Sequence, residues 1–390
     1  MVSSAEDKLA RFQPLGAYDW PAMPTEHAMR AMFRRVSRRF TSDDNKPFIA
    51  DDRLRRTRLS QPDEFDTPAC GLLRLELDAT LGPWARQTRP DSWLKLVVLP
   101  SCDRSGLVQD WAVRHQHQVL APPGRGELLR AQDRPPLPSL DGPGVLVIPR
   151  LERWYLRHRN GLTWIRALLV ALDRLQRHCV IGCDSWAWQF LRKAAVADFM
   201  LPTGITFQAF DAARVHRWLS DLVQQRSAAS ITFRSAGSGE KLLSLGEDLG
   251  RPHNYFQQLA ASSLGIPWVA WQLWNRSLRS RIEGPEADDG AAPADGDDQT
   301  MWVSALEEFS LPGRHHEDAL LILQAILLHD SLSIEEIGLV VPSPDVLPMV
   351  AALANAGLVE RSAGEVRCRP AAYPSIRQAL STAGMPMDEL

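Results

Sequence analysis

Between residues 94 and 224 the chain alternates short apolar runs with helical patterns, and this restricts its possible folds more than any other feature. The runs at 94–99 (LKLVVL), 117–120, 144–148 (GVLVI) and 179–182 (CVIG) are rich in Val, Ile and Leu, and a fifth candidate lies at 205–210. Between them, residues 107–115, 162–176 and 212–224 carry apolar side chains at helical spacing. Strands apolar on both faces and separated by helices predict an α/β fold, a parallel sheet covered on both sides. The proline-rich connection from 124 to 142 reads as loop.

The first run leads into Ser101-Cys102-Asp103-Arg104-Ser105-Gly106, with a helix predicted from Leu107. A phosphate-binding loop stands at such a turn and reads G-x-x-x-x-G-K-[ST]. Its glycines let backbone N–H groups wrap the phosphates, its lysine neutralises them and its hydroxyl holds Mg²⁺. Here the turn has one glycine and no lysine, and it adds Asp103, whose carboxylate repels a triphosphate. Residues 237–241 (GSGEK) are glycine-rich but lack the G-K-[ST] register and follow the predicted strands, so they read as loop.

The order strand, turn, helix, strand, GVLVI, helix, CVIGCDSWAWQFL and ITFQAF resembles the AAA+/STAND group of P-loop ATPases over roughly residues 91–282. That resemblance implies a P-loop NTPase-like parallel sheet with a helical lid. GVLVI would then be the Walker B strand, ending in an acidic pair that holds Mg²⁺ and positions the attacking water. In this chain Pro149 stands at the Mg²⁺-ligand position and Arg150 at the catalytic-carboxylate position. Glu152 could substitute only if the strand end were displaced. Asp184 follows the fourth strand, where the group places a polar sensor. Residues 253–282 resemble the lid, with Gly265-Ile266-Pro267 opening a helix and Arg276 near the sensor arginine. The stripe Trp268, Trp271, Trp274, Leu278 has helical spacing and reads as core-facing. The degenerate nucleotide positions are therefore Asp103, Ser105, Gly106, Pro149, Arg150, Glu152, Asp184 and Arg276.

The sequence divides into an arginine-rich region (1–90), the degenerate α/β domain (91–235), a helical lid (236–282), an acidic linker (283–300) and a C-terminal domain (301–390). In the last, an apolar helix at 318–329 is followed by Ser333 with Glu336 three residues on, a capping box. A third helix at 346–355 and a hairpin around 362–365 complete a pattern read as a winged helix. Residues 315–390 hold four arginines, no lysine and ten acids, a net −6 with histidine neutral. Such a surface repels a duplex, so protein contact or intramolecular docking is expected of this domain.

The cations sit at the other end. Residues 29–59 carry ten cations against four acids, a net +6. Met29, Met32, Phe33, Val36 and Phe40 form an apolar stripe beside Arg30, Arg34, Arg35, Arg38 and Arg39. These arginines are the candidate partner-binding residues, for an acidic protein or an anionic membrane surface, and the alternative is a stripe packed on its own domain.

Over all 390 residues the net charge is −3, which gives no general bias toward nucleic acid or membrane. No signal peptide or apolar 18-residue span is found. The five cysteines lack zinc spacing and read as reduced thiols of a cytoplasmic protein, peripheral at a membrane at most. No catalytic constellation, metal site or cofactor site is identified. The expectation is a non-catalytic, ATPase-like scaffold or regulator acting through protein contacts. The rivals are a residual nucleotide-binding switch and a transcriptional regulator binding DNA through its N-terminal arginines.

Overall fold

The structure is a computed structural model and describes residues 10–23, 54–56, 70–130, 135–226, 231–243, 253–281, 299–313, 316–341, 343 and 345–390. In chain order the strands are β1 (Gln13–Pro14), β2 (Leu54–Arg56), β3 (Leu94–Leu99), β4 (Gln118–Val119), β5 (Leu146–Ile148), β6 (Cys179–Asp184), β7 (Ile205–Thr206), β8 (Ile231–Ser235), β9 (Lys241–Leu243), β10 (Leu278–Arg281), β11 (Gln299–Val303), β12 (Leu332–Ser333), β13 (Val359–Ser362) and β14 (Glu365–Cys368). The helices are α1 (Cys70–Ala85), α2 (Leu107–Arg114), α3 (Arg125–Leu128), α4 (Thr163–Asp173), α5 (Ser185–Ala194), α6 (Ala212–Arg226), α7 (Asn254–Ser262), α8 (Pro267–Ser277), α9 (His316–His329), α10 (Ile334–Val340), α11 (Val346–Asn355) and α12 (Tyr373–Thr382). They form two compact units, one of residues 1–19, 70–208 and 309–390, the other of 20–69 and 209–308.

The first unit is mixed α/β. Its six-stranded sheet has the order β1-β7-β3-β6-β5-β4, parallel throughout except for β1, which runs antiparallel to β7 at the edge. The five parallel strands are the five apolar runs, although only Ile205–Thr206 of the 205–210 run pairs. Every residue of β6 is buried, as a central strand covered on both faces requires. The chain runs from β3 out to β4, returns through β5 and β6, and crosses to β7 on the other side of β3. The strand order therefore reverses at β3, and open α/β sheets bind their ligands outside the carboxyl ends of the strands at such a point. At Gly182 a Cβ would come within 2.2 Å of the Pro149 carbonyl oxygen, so the chain leaving β5 can lie against β6 only over a glycine.

Residues 309–390 belong to the same unit. The antiparallel sheet β12-β14-β13 is flanked by α9, α10, α11 and α12. Ser333 and Glu336 form the expected capping box, with Glu336 N donating to Ser333 Oγ at 3.1 Å and Ser333 N to Glu336 Oε2 at 2.8 Å. Ala363 and Gly364 both have positive φ (50° and 83°), as a two-residue hairpin loop requires. Helix α9 is buried nearly all round, because it packs on α11, α12 and β14 and also on α5.

In the second unit the sheet order is β2-β10-β11-β8-β9, with β8 and β11 parallel. The tryptophan stripe of α8 is core. Trp268, Trp271 and Trp274 are buried, and Trp274 packs on Phe233 of β8 with centroids 5.4 Å apart. Two expectations are corrected here. Residues 236–282 are not wholly helical, because β9 and β10 lie among them. Strand β11 spans the expected boundary between linker and C-terminal domain, yet it pairs with β10 and β8 of this unit. These strands are short and mixed in polarity, and β11 finds its parallel partner β8 far away in sequence, so local periodicity does not reveal them.

Candidate functional site

Three turns meet at the carboxyl ends of the parallel strands. Two follow β3 (101–106) and β5 (149–153), the third is the junction of β6 and α5 at Asp184, and they line one cavity with Asp330 of the C-terminal part. Six of the eight positions singled out from the sequence line it: Asp103, Gly106, Pro149, Arg150, Glu152 and Asp184. Ser105 sits beside it, bonded to Asp103. Arg276 belongs to the second unit, where its Nε donates to Glu307 at 2.6 Å. The partner-binding candidates Arg30, Arg34, Arg35, Arg38 and Arg39 lie outside the described residues.

The turn after β3 supplies its own anion. Asp103 Oδ1 accepts from Ser105 N at 2.8 Å and from Ser105 Oγ at 2.5 Å, and Oδ2 lies 3.4 Å from Leu107 N at the start of α2. Backbone N–H groups at a helix N-terminus attract phosphate; here a carboxylate of the same chain already accepts from them. Gly106 (φ 60°) and Cys102 (φ 69°) both take the left-handed conformation in this turn.

The turn after β5 is basic where a catalytic carboxylate was sought. Arg150 Nη1 donates to Asp330 Oδ2 at 2.7 Å, lies 4.0 Å from Glu152 Oε1, and its Nη2 donates to the Asp103 carbonyl at 3.3 Å. Arg153 joins the same Asp330 oxygen at 3.2 Å and reaches Ser331 Oγ at 2.7 Å and Glu365 at 3.4 Å. Burial works against the Arg150 charge, but Asp330 and Glu152 more than offset it and raise its pKa. Glu365 is held down to about 2: partial burial pushes it up, but Arg367, Ser331 and Arg153 pull it further down.

Behind these arginines lie two buried carboxyls. Asp184 caps α5 by accepting from Trp186 N at 2.8 Å, and Ser101 Oγ lies 2.7 Å from it. Glu152 Oε2 accepts from Asp184 N at 3.2 Å. Burial pushes both carboxyls above the ordinary range, and for Asp184 the neighbouring Glu152 pushes further. Among the described residues no group of three or more His, Cys, Asp or Glu side chains is placed to hold a metal ion.

Several acids of residues 309–390 are used in cis. Arg104 Nη2 donates to Glu360 and to the Cys368 carbonyl, both at 2.8 Å. Arg125 reaches the carbonyls of His329 and Ser331 at 3.4 Å, and Tyr155 OH donates to the Leu328 carbonyl at 2.6 Å. Further along, Asp388 accepts from Ser185 Oγ, Tyr373 OH and Arg377, each at 2.8 Å, and Arg192 pairs with Glu389 at 2.6 Å. The sequence reading missed Asp330, Ser101, Arg153 and Tyr155. One signal was present for Asp330, an acid placed directly after the last helical residue, where the chain needs positive φ (61°) and glycine is the usual choice.

After these contacts about 30 Å³ of space remains at the strand ends. A water needs about 10–15 Å³ of such space, so the enclosed part holds about two waters. Among the described residues no helix is long and apolar enough to cross a membrane. No family model, no curated protein and no solved structure matches the chain.

Proposed function

We propose that this chain is a non-catalytic, ATPase-like scaffold or regulatory protein that acts through protein contacts. In this reading the α/β part keeps a P-loop NTPase-like sheet whose nucleotide chemistry is gone, and residues 316–368 form a winged helix. The observation that carries the reading is Arg150. It occupies the position sought for a catalytic carboxylate and is ion-paired to Asp330 at 2.7 Å. Asp103 supports it, since its carboxylate already accepts from the N–H groups at the start of α2 that a phosphate would use. Contact with a duplex is disfavoured because the exposed residues of α11 are Leu347, Pro348, Ala351 and Asn355, with no cation among them. The test is melting of the purified protein with and without ATP and Mg²⁺, beside a turnover assay. A ligand at 100 times its Kd adds about 2.7 kcal/mol, and neither that stabilisation nor turnover is expected. A reproducible rise at millimolar ATP would replace this reading with a nucleotide-binding switch.

A further inference from the structure

Asp330 occupies a left-handed backbone position that aspartate tolerates but glycine fills more readily. It follows the last residue of α9 with φ 61°, where glycine or asparagine is favoured. What aspartate adds there is charge. One oxygen, Oδ2, receives Arg150 at 2.7 Å and Arg153 at 3.2 Å, and the side chain is 5% exposed. Both arginines also touch neighbouring turns. Arg150 donates to the Asp103 carbonyl, and Arg153 donates to Ser331 and pairs with Glu365. The carboxylate is thus bound by two guanidinium groups at the carboxyl ends of β3, β5 and β6, the place where this kind of sheet binds a ligand.

We propose that Arg150 and Arg153 form an oxyanion-binding site whose resident ligand is the Asp330 carboxylate, and that this built-in ligand holds the 101–106 and 149–153 turns closed without nucleotide. The inference rests on the non-catalytic reading above and names what fills the site. The occupant is a carboxylate because two guanidinium groups converge on one of its oxygens. The Arg150 bond to the Asp103 carbonyl carries the constraint on to the turn preceding α2.

The test uses the full chain and formate as a free carboxylate. Asp330→Gly deletes the ligand and suits the positive φ, whereas Asp330→Asn keeps the side-chain volume and removes the charge. Both variants should melt below the wild type, with faster amide exchange in residues 101–106. Formate, against chloride at matched ionic strength, should raise the melting temperature of Asp330→Gly alone. It should leave the wild type and Asp330→Asn unmoved, and the response should vanish in Asp330→Gly/Arg150→Met. Variants that melt like the wild type, or a formate response that survives Arg150→Met, overturn the proposal. If Asp330→Gly does not fold, unchanged exchange at 101–106 in Asp330→Asn overturns it equally. Stabilisation of the wild type by ATP would remove the non-catalytic reading and leave the formate result standing, so the two failures are separable.

Discussion

Replacing Tyr155 by Phe tests the docking of residues 309–390 with the least disturbance. Tyr155 is fully buried, and its ring stacks on Phe190 (centroids 5.3 Å, 20°) and lies against His329 (4.9 Å). Phenylalanine keeps both contacts. What is lost is the bond from the hydroxyl to the Leu328 carbonyl at 2.6 Å. Leu328 lies in the last turn of α9, where carbonyls have no partner within the helix. The change therefore removes a bond worth about 1 kcal/mol net and strands a buried acceptor, which together cost about 1.5–2 kcal/mol. For a unit of this size each kcal/mol moves the melting temperature by about 2–4 °C, so a drop of roughly 3–8 °C is expected. The readouts are thermal melting and labelling of the buried thiol of Cys368, which should accelerate as the C-terminal part opens. An unshifted melting temperature with unchanged labelling would refute the contact.

Glu152→Gln should not destabilise the protein at neutral pH. Burial holds the Glu152 carboxyl above its usual value, with Arg150 only partly opposing it. A raised folded pKa means stability that is present below the unfolded value of about 4.5 and lost as pH rises through the folded one, so the variant should flatten that fall in a pH series of melts. Cys102, Cys179, Cys183 and Cys368 are buried, with Cys179 pushed up to about 12 by burial. A thiol titration of the native protein should therefore find these four unreactive, and denaturant should expose them. Changing Arg34, Arg35, Arg38 and Arg39 together to Glu should abolish recovery of a partner from the native host without moving the melting temperature, and salt should weaken wild-type recovery. Unchanged recovery would move the contact elsewhere on the chain.

The sheet was legible in the sequence because buried parallel strands are written as continuous apolar runs, and β3, β5 and β6 each coincide with one. The turns at their ends were legible too, since strand position alone places 103–106, 149–152 and 184 at one edge once the strands are parallel. What fills the space between them was not. Asp330 reaches Arg150 across 180 residues, and only the folded chain brings such a pair together. The net −6 of the C-terminal part did carry information, because its acids meet Arg104, Arg150, Arg153 and Arg192 of the α/β part. Sequence could register the excess but not assign the partners. The sheet of the second unit was hidden for another reason. Strands such as LRSR and ITFRS are short and mixed in polarity, and β8 finds β11 across about 70 residues with nothing local to mark the pairing.

The first unit is assembled from three separated stretches of chain, and that has a consequence for biogenesis. Strand β1 waits for β7, Gly16 N donates to the Leu390 carbonyl at 2.9 Å, and α9 comes to α5 only after the whole second unit has been made. At a synthesis rate of about 5–20 residues per second, roughly 10–40 s separate the emergence of β7 from that of residue 390. During that interval Arg104, Arg125, Arg150 and Arg153 lack their C-terminal partners, and the face of α5 that receives α9 is bare. The nascent chain then presents a basic, partly apolar surface awaiting residues 309–390, and in that interval it is most exposed to chaperones and to misassembly.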